Sequence, residues 1–169
     1  MQTHLGNRVA EAERLSVKIV VVNHWTIQRA VLTKSKIILK PQWVRGENNK
    51  ILFLWTIDKY LFEAQHIAES LGFKLHARMI WDKVTGIPAA FTVRYGHEYL
   101  LYMYKGKLTP VAKEERGKIH TVFREKVTKH SKKPEIAYEI IEKLYPDLKK
   151  LEMYARNERN GWDSWGNEI

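Results

Sequence analysis

The chain has 169 residues, of which 44% are hydrophobic and 28% are charged, so its size suits one globular domain with a continuous core. No apolar run approaches the roughly 20 residues that span a bilayer, and residues 1–8 lack the apolar core of a signal peptide. We therefore expect a cytoplasmic protein with no membrane partner. The absence of cysteine excludes disulfides, thiolate zinc sites and a cysteine nucleophile, and we predict no metal site.

The net charge of +10 is concentrated in two stretches of the chain. Residues 1–50 carry +6 and residues 105–133 carry +7, whereas residues 51–104 are neutral and residues 134–169 carry −3. Clustered cations favour a polyanionic partner such as nucleic acid, because its phosphates attract them without regard to sequence. The alternative is a solvated, lysine-rich surface of the kind found in thermophiles.

The first half of the chain alternates between strand and helix patterns. Short apolar runs rich in β-branched residues predict buried strands at residues 17–22, 36–39 and 51–55. Asp58 is a good helix N-cap, and the apolar residues after it form a helical stripe that Gly72 ends. This order predicts a sheet covered by helices.

The next segment returns to strand composition. Residues 73–81 and 99–104 predict two strands, and turn-forming residues mark a loop between them: Gly86, Pro88 and Gly96. Residues 106–120 have little periodicity and much charge, so we predict a mobile, solvent-facing loop there.

A second helix is predicted to begin at Pro134, because proline favours a first helical turn and disfavours helical geometry at Lys133. Its apolar face consists of Ile136, Ile140, Ile141 and Leu144. The unpaired amides and positive dipole end at its N-terminus favour a bound carboxylate or phosphate. The alternative is a surface helix preceded by solvated lysines. The helix leads into a strand at residues 151–155, and open α/β sheets bind ligands beyond the carboxyl ends of their strands.

Three motifs in the last third of the chain resemble the cofactor-binding end of the MT-A70 family. They are H-S-K-K-P at residues 130–134, L-E-M-Y-A-R at residues 151–156 and G-W-D-S-W-G-N-E-I at residues 161–169. Similar landmarks upstream extend the resemblance over more than two thirds of the chain: residues 52–56, 71–73, 80–83 and 96–107. The family comprises adenine N6-methyltransferases that use S-adenosylmethionine and act on mRNA and on bacterial or phage DNA.

The resemblance implies one α/β domain over residues 1–169, with a divergent N-terminal segment of about 45 residues. Its fold would be the Rossmann-like class I methyltransferase fold, with a mostly parallel sheet and helices on both faces. The resemblance also implies a cofactor site. Lys133 would hold the methionine carboxylate of S-adenosylmethionine, and three further residues would reach its ribose and adenosine: Arg156, Asn167 and Glu168.

In the family, the loop before the H-E pair borders the target pocket, so His97 and Glu98 are implied to help hold adenine. A satisfied surface His-Glu pair at a strand edge fits these residues equally well. Trp55 and Trp81 each close an apolar strand, and we predict that they are core residues rather than base-stacking platforms. Three basic residues of the charged loop are predicted to bind nucleic acid: Lys113, Arg116 and Lys118.

The family's D-P-P-W tetrapeptide, which offers acceptors to the adenine amine and an aromatic face to the base, is not intact here. V-N-H-W at residues 22–25 follows a strand and keeps an amide and an aromatic ring, so we interpret Asn23 as the amine acceptor and Trp25 as the stacking partner. K-P-Q-W at residues 40–43 places a lysine where the acceptor belongs. The loss of both prolines from the first segment relaxes the backbone there and predicts slow or absent catalysis.

Two hypotheses of function follow. The first is an adenine N6-methyltransferase that acts on a flipped or unpaired base of DNA or RNA. The second is a catalytically degenerate homologue that serves as a nucleic-acid-binding or structural subunit, in a homodimer or beside an active family member. A basic α/β domain unrelated to methyltransferases would require the motif series to be accidental.

Overall fold

The structure is a computed structural model that describes residues 17–23, 49–88, 92–128, 132–155 and 157–165. Several predicted features lie outside these residues: the strand at residues 36–39, the K-P-Q-W segment, Trp25, Arg156, Asn167 and Glu168. Among the helices that it does describe, none is long and apolar enough to cross a membrane.

Buried apolar strands form the centre of the sheet. β1 (Ile19–Val22) and β2 (Lys50–Thr56) are buried along their whole length, as the β-branched and apolar composition of these runs predicts. β1 pairs in parallel with β2 on one side and with β6 (Lys150–Met153) on the other. The parallel centre of the sheet therefore brings the carboxyl ends of three strands to one edge.

The outer strands make the sheet mixed. β3 (Lys74–Pro88) and β4 (Arg94–Lys105) form an antiparallel ribbon, and β4 also pairs in the antiparallel sense with β2. β5 (Val122–Arg124) is parallel to β3, and β7 (Trp162–Trp165) is parallel to β6. The seven described strands follow the order β5-β3-β4-β2-β1-β6-β7. A mostly parallel α/β sheet is confirmed, with the antiparallel pairings confined to the two sides of β4.

The predicted loop between β3 and β4 is too long. Gly86 and Gly96 lie inside the strands, and the connection runs between Pro88 and Arg94. The strand pairing shifts register between Asp82 and Ile87, where Val84 has a positive φ of 66°. Gly86 therefore lies in an irregular part of β3, and the strand continues past it instead of ending there.

The first helix begins later than predicted. Asp58 starts a 3₁₀ turn, Asp58–Tyr60, and the α-helix α1 covers Leu61–Ser70. It ends at Gly72 as predicted: Gly72 has a φ of 89°, its amide donates to the Glu69 carbonyl, and the Phe73 amide donates to the Ala68 carbonyl. This is the Schellman ending that glycine favours because it has no Cβ.

The second helix, α2, covers Glu135–Leu144. Pro134 is its N-cap in an extended conformation, so the helix begins one residue after the predicted start. Of the predicted apolar face, Ile140, Ile141 and Leu144 are buried, whereas Ile136 is only partly buried against the same core. Ala137 is also buried, which the sequence did not predict.

The two helices cover opposite faces of the sheet, as predicted. Side chains alternate along a strand, so Val20 and Leu52 pack on the α1 side, whereas Val21 and Phe53 pack on the α2 side. The core therefore consists of two apolar layers separated by the central strands.

The charged loop at residues 106–120 is irregular apart from one 3₁₀ turn, Lys113–Glu115. It is attached to the domain more firmly than the sequence predicts, because apolar residues pack against the α2-side core: Leu108, Val111 and Ile119. The Ala112 amide also donates to the Leu144 carbonyl over 2.8 Å. The loop thus passes the C-terminal end of α2.

Candidate functional site

The candidate site lies where β1, β2 and β6 end, which we call the carboxyl edge. Asn23 directly follows β1, and Tyr154 directly follows β6, whose last residue pairs with Val22. Thr56 at the end of β2 lies opposite Tyr99 of the antiparallel β4, so Glu98 lies one residue beyond it at the same edge. The sheet therefore brings Asn23 and Glu98 to one side of the molecule although they are far apart in sequence.

A buried ionic cluster occupies part of this edge. The Glu98 carboxylate contacts the Lys83 ammonium at 2.6 Å and the Lys133 ammonium at 2.5 Å. The exposed fractions of the three residues are 6% for each lysine and 7% for Glu98. The ammonium groups also lie above aromatic rings, at 4.8 Å for Lys133 over Trp55 and 5.4 Å for Lys83 over Trp81.

Both tryptophans are core residues, with exposed fractions of 1% for Trp55 and 2% for Trp81. This confirms the prediction for them. Their rings meet edge to face, with centroids 6.0 Å apart, so they form an apolar floor beneath the two lysines.

The pKa of Glu98 reflects two opposing effects. Burial alone would raise it, but the charge and hydrogen bond of Lys133, followed by those of Lys83, lower it below the ordinary value of 4.5. Glu98 is therefore a carboxylate at neutral pH. The cluster holds the Lys133 ammonium at the carboxyl edge, beside the N-terminus of α2.

His97 and Glu98 do not form the surface pair that the sequence leaves open. The Glu98 side chain is buried with the two lysines, whereas the His97 ring contacts the ring of Tyr99, which packs on the α1 side, at 5.0 Å. Neighbouring residues of a strand point to opposite faces, which accounts for the separation. Of the two, the structure brings Glu98 to the ionic cluster and leaves His97 on the other face.

Asn23 belongs to a second polar network on the α2 side. Its Nδ2 atom donates to Glu152 Oε1 at 2.9 Å and to the Tyr154 carbonyl at 3.2 Å. The Tyr138 hydroxyl, from α2, donates to the same Glu152 oxygen at 2.7 Å. Asn23 Oδ1 is buried and has no hydrogen-bond partner among the described residues, a condition shared there with Ser164 Oγ.

Glu152 is a buried carboxyl group in the middle of a buried strand. Burial raises its pKa above the ordinary 4.5, against the lowering effects of the Tyr138 and Asn23 hydrogen bonds and of the charges on Arg159 and Lys133. Lys133, a member of the ionic cluster, is the weakest of these influences on Glu152.

The expected anion site at the N-terminus of α2 is filled from within the chain. The Glu125 carboxylate accepts hydrogen bonds from the Glu135 and Ile136 amides, each at 2.9 Å. The Glu125 carbonyl accepts from Trp81 Nε1 at 2.8 Å, which fixes this segment to β3. A carboxylate does occupy the helix end, as the dipole argument predicts, but it is an internal one.

The three predicted nucleic-acid-binding residues, Lys113, Arg116 and Lys118, are exposed. Lys113 follows the residue that bonds to the C-terminal end of α2, whereas Lys133 precedes the opposite end. A helix of ten residues is about 15 Å long. The structure therefore places Lys113 well away from the carboxyl edge and does not join it to Asn23 or Lys133.

Sequence reasoning missed three members of the site: Lys83, Tyr138 and Glu152. Glu152 did carry a signal, because a glutamate within an otherwise apolar strand is expensive to bury without partners. Lys83 carried none, because its contact with Glu98 depends on the pairing of β3 with β4.

The comparisons with known proteins agree on one family. The family model described as MT-A70 matches residues 16–168. The Type II methyltransferase M.MunI of Mycoplasma sp is 35% identical over 121 residues, which cover 70% of this chain and 50% of that protein. The putative N(6)-adenosine-methyltransferase MT-A70-like of Medicago truncatula is 29% identical over 133 residues, 73% of this chain and 21% of that protein.

A further match covers fewer residues at a higher sequence identity. The human N(6)-adenine-specific methyltransferase METTL4 is 48% identical over 42 residues, 25% of this chain and 9% of that protein. The matched part of the chain spans half or less of the length of each of these relatives.

Proposed function

The chain belongs to the MT-A70 family, and from this premise we propose that it is an S-adenosylmethionine-dependent adenine N6-methyltransferase that acts on DNA or RNA. The names of the relatives support this chemistry, because they include N6-adenine and N6-adenosine methyltransferases. The mixed sheet is then a Rossmann-like methyltransferase sheet. The observation that carries the proposal is the buried Oδ1 atom of Asn23 at the carboxyl edge, which has no hydrogen-bond partner among the residues that the structure describes.

The residues at the edge fit the cofactor. S-adenosylmethionine supplies an electrophilic methyl group, and its methionine part carries a carboxylate. The buried ammonium of Lys133 suits that carboxylate, since charge-assisted hydrogen bonds between such groups are strong. Arg156, Asn167 and Glu168 are proposed to hold the ribose and adenosine.

Asn23 is proposed to act on the target base. Its Oδ1 would accept a hydrogen bond from the adenine amine, orient the nitrogen toward the methyl group and stabilise the positive charge that develops on nitrogen. As the N–C bond forms, the bond from the methyl group to the sulfonium sulfur would break, S-adenosylhomocysteine would leave, and the amine proton would pass to water. Trp25 is proposed to stack on the base, and Glu98 to border the adenine pocket. His97 lies on the opposite face of β4, so we propose that it contributes to the adenine pocket only through the loop that precedes β4.

The test is methyl transfer from radiolabelled S-adenosylmethionine to adenine-containing single-stranded and double-stranded DNA and RNA. The parent protein is expected to incorporate label into at least one substrate. Asn23→Ala should lower kcat by about 100-fold to 1,000-fold, the usual loss when one transition-state hydrogen bond is removed. Cofactor affinity should stay within about threefold, since Asn23 acts mainly in the transition state.

Asn157→Ala is the matched control, because Asn157 is an exposed asparagine between β6 and β7 and should leave kcat unchanged. Absence of label from every substrate, with the parent protein alone or mixed with an active family member, would falsify the enzyme proposal.

A second candidate function is a catalytically degenerate, nucleic-acid-binding or structural subunit that pairs with a second copy or an active family member. The observation that favours it is the internal carboxylate of Glu125 on the amides at the start of α2, because groups that could bind an anion are satisfied there. This candidate predicts nucleic-acid binding without methyl transfer and no heat of binding on titration with S-adenosylmethionine.

A further inference from the structure

Lys83 is held in place at the point where β3 becomes irregular. The Asp82 carboxylate accepts one hydrogen bond from the Val84 amide and another from Arg124 Nε, each at 2.8 Å. The first of these bonds closes a tight turn around Lys83, in which Val84 has its positive φ of 66°. The Lys83 ammonium lies 5.4 Å from the ring centroid of Trp81, which packs on the α2 side. The turn and the ring together place this lysine on the face of the sheet that carries the ionic cluster.

The two oxygens of the Glu98 carboxylate are divided between two lysines. Oε1 contacts the Lys83 ammonium at 2.6 Å, and Oε2 contacts the Lys133 ammonium at 2.5 Å. Each of the three side chains is at most 10% exposed, so water screens their charges much less than it screens charges at the surface. Two ammonium groups and one carboxylate carry a combined charge of +1. A ligand carboxylate that reaches Lys133 therefore makes the number of positive and negative groups equal.

We propose that Lys83 is a positioning residue for the cofactor carboxylate, because it holds Glu98 through Oε1 and offsets the charge of Glu98 when Lys133 binds that carboxylate. The inference rests on the proposed function and deepens it. Without Lys83, the single ammonium of Lys133 would face two buried carboxylates, and an uncompensated buried charge is costly. Lys83 therefore makes the site selective for a cofactor that carries a carboxylate, although it acts through Glu98.

The test is calorimetric titration with two ligands, S-adenosylmethionine and decarboxylated S-adenosylmethionine, in the absence of nucleic acid. The parent protein should bind the first about tenfold more tightly or better, since only the first can form the charge-assisted hydrogen bond with Lys133. Lys83→Met keeps an unbranched stem over Trp81 but removes the charge. It should bind S-adenosylmethionine about tenfold more weakly than the parent protein does, whereas its affinity for the decarboxylated ligand should not fall.

Two matched variants separate the charge of Lys83 from its packing. Lys83→Arg keeps the positive charge and should keep the preference of the parent protein for S-adenosylmethionine. Lys74→Met removes an exposed lysine of the same strand and should leave both affinities unchanged. If Lys83→Met does not fold, Lys83→Gln takes its place with the same expectation, because its amide still offers a hydrogen-bond donor to Glu98.

The double variant Lys83→Met with Glu98→Gln removes one charge of each sign, which leaves one ammonium for one ligand carboxylate. It should bind S-adenosylmethionine more tightly than Lys83→Met does and should regain the preference for this ligand. A role of Lys83 in packing alone predicts no recovery, because the double variant has lost a further buried ion pair.

The outcomes distinguish this role from the proposed function. A parent protein that prefers S-adenosylmethionine, beside a Lys83→Met variant that keeps the same preference, overturns the role of Lys83. Equal losses of affinity for both ligands in Lys83→Met, without recovery in the double variant, overturn it as well, as does equal affinity of the parent protein for the two ligands. A parent protein that binds neither ligand overturns the proposed function instead, and the role of Lys83 with it.

Discussion

Lys133 is the candidate ligand for the cofactor carboxylate. The sequence marks it by the H-S-K-K-P motif, and the structure places its ammonium at the carboxyl edge, buried between Glu98 and the Trp55 ring. An ammonium so placed is already desolvated and oriented, so a ligand carboxylate that reaches it loses little further entropy in ordering the side chain.

Replacing Lys133 by methionine should therefore weaken cofactor binding. Methionine keeps an unbranched stem over Trp55 but removes the charge, and the loss should be about 1.5–3 kcal/mol, as for a charge-assisted hydrogen bond. Calorimetric titration with S-adenosylhomocysteine measures it. Lys132→Met is the control, because Lys132 is the exposed neighbour. Equal dissociation constants for Lys133→Met and the parent protein would show that Lys133 does not bind the cofactor.

Glu98 should control the acid stability of the fold. Its pKa is lower in the folded protein than its ordinary 4.5, so its stabilising contribution is complete above that pH and is lost as the pH falls through the folded pKa. Glu98→Gln removes the charge between two buried ammonium groups and should lower the free energy of unfolding at pH 7 by about 3–5 kcal/mol. The difference from the parent protein should shrink as the pH is lowered below 4.5.

Urea unfolding between pH 7 and pH 3 measures this difference, with Glu139→Gln as the control because Glu139 is exposed on α2. Glu152 acts in the opposite sense, since its pKa is raised and its contribution is lost as the pH rises. Comparing each variant with the parent at the same pH removes that background. A stability difference between Glu98→Gln and the parent protein that is independent of pH would contradict the lowered pKa of Glu98.

At the scale of elements, the hydrophobic pattern correctly predicted those helices and strands whose residues follow a regular pattern of burial. The apolar face of α2 and the runs that form β1 and β2 were identified because burial alone determines their spacing. The predicted length of the loop between β3 and β4 was too great. Glycine and proline favour turns in general, but a strand can accommodate them at a bulge. β5 was missed, because its three residues are too few to show a period.

Only part of the candidate site could be predicted from the sequence, because motifs identify single residues and not their partners in the fold. Motifs identified Asn23, Lys133 and Glu98 residue by residue, but their partners follow from the order of strands in the sheet. β4 lies between β3 and β2, which brings Lys83 to Glu98, and β6 lies beside β1, which brings Glu152 to Asn23. Chain order does not specify the second of these neighbours, because β6 pairs with a strand from a distant part of the sequence. β3 and β4 are consecutive, but their register becomes irregular after Asp82, so composition does not predict what lies beside Lys83.

At the scale of the whole molecule, the charge is divided between two distinct tasks. The buried cations of the ionic cluster lie at the carboxyl edge, whereas the charged loop packs against the α2-side core and bonds, through Ala112, to the far end of α2. Lys113, a helix length of about 15 Å from the carboxyl edge, is too remote to orient a base, but it suits a nucleic-acid backbone that extends past the site. The proposed function therefore assigns affinity to the loop and catalysis to the edge.

Neutralising Lys113, Arg116 and Lys118 together by glutamine should weaken nucleic-acid binding about equally for all sequences, because phosphate contacts carry no sequence information. The slope of log affinity against log salt should become shallower by about two to three, since each lost phosphate contact releases about one counterion fewer. Fluorescence anisotropy over a range of salt concentrations measures the slope.

The control replaces three exposed cations outside the loop by glutamine: Lys59, Lys74 and Arg78. It removes the same amount of charge as the loop variant and should leave the slope nearly unchanged. With saturating nucleic acid the loop variant should keep the kcat of the parent protein, because the residues at the carboxyl edge are untouched. Equal slopes for the loop variant and the control would show that the loop carries ordinary surface charge.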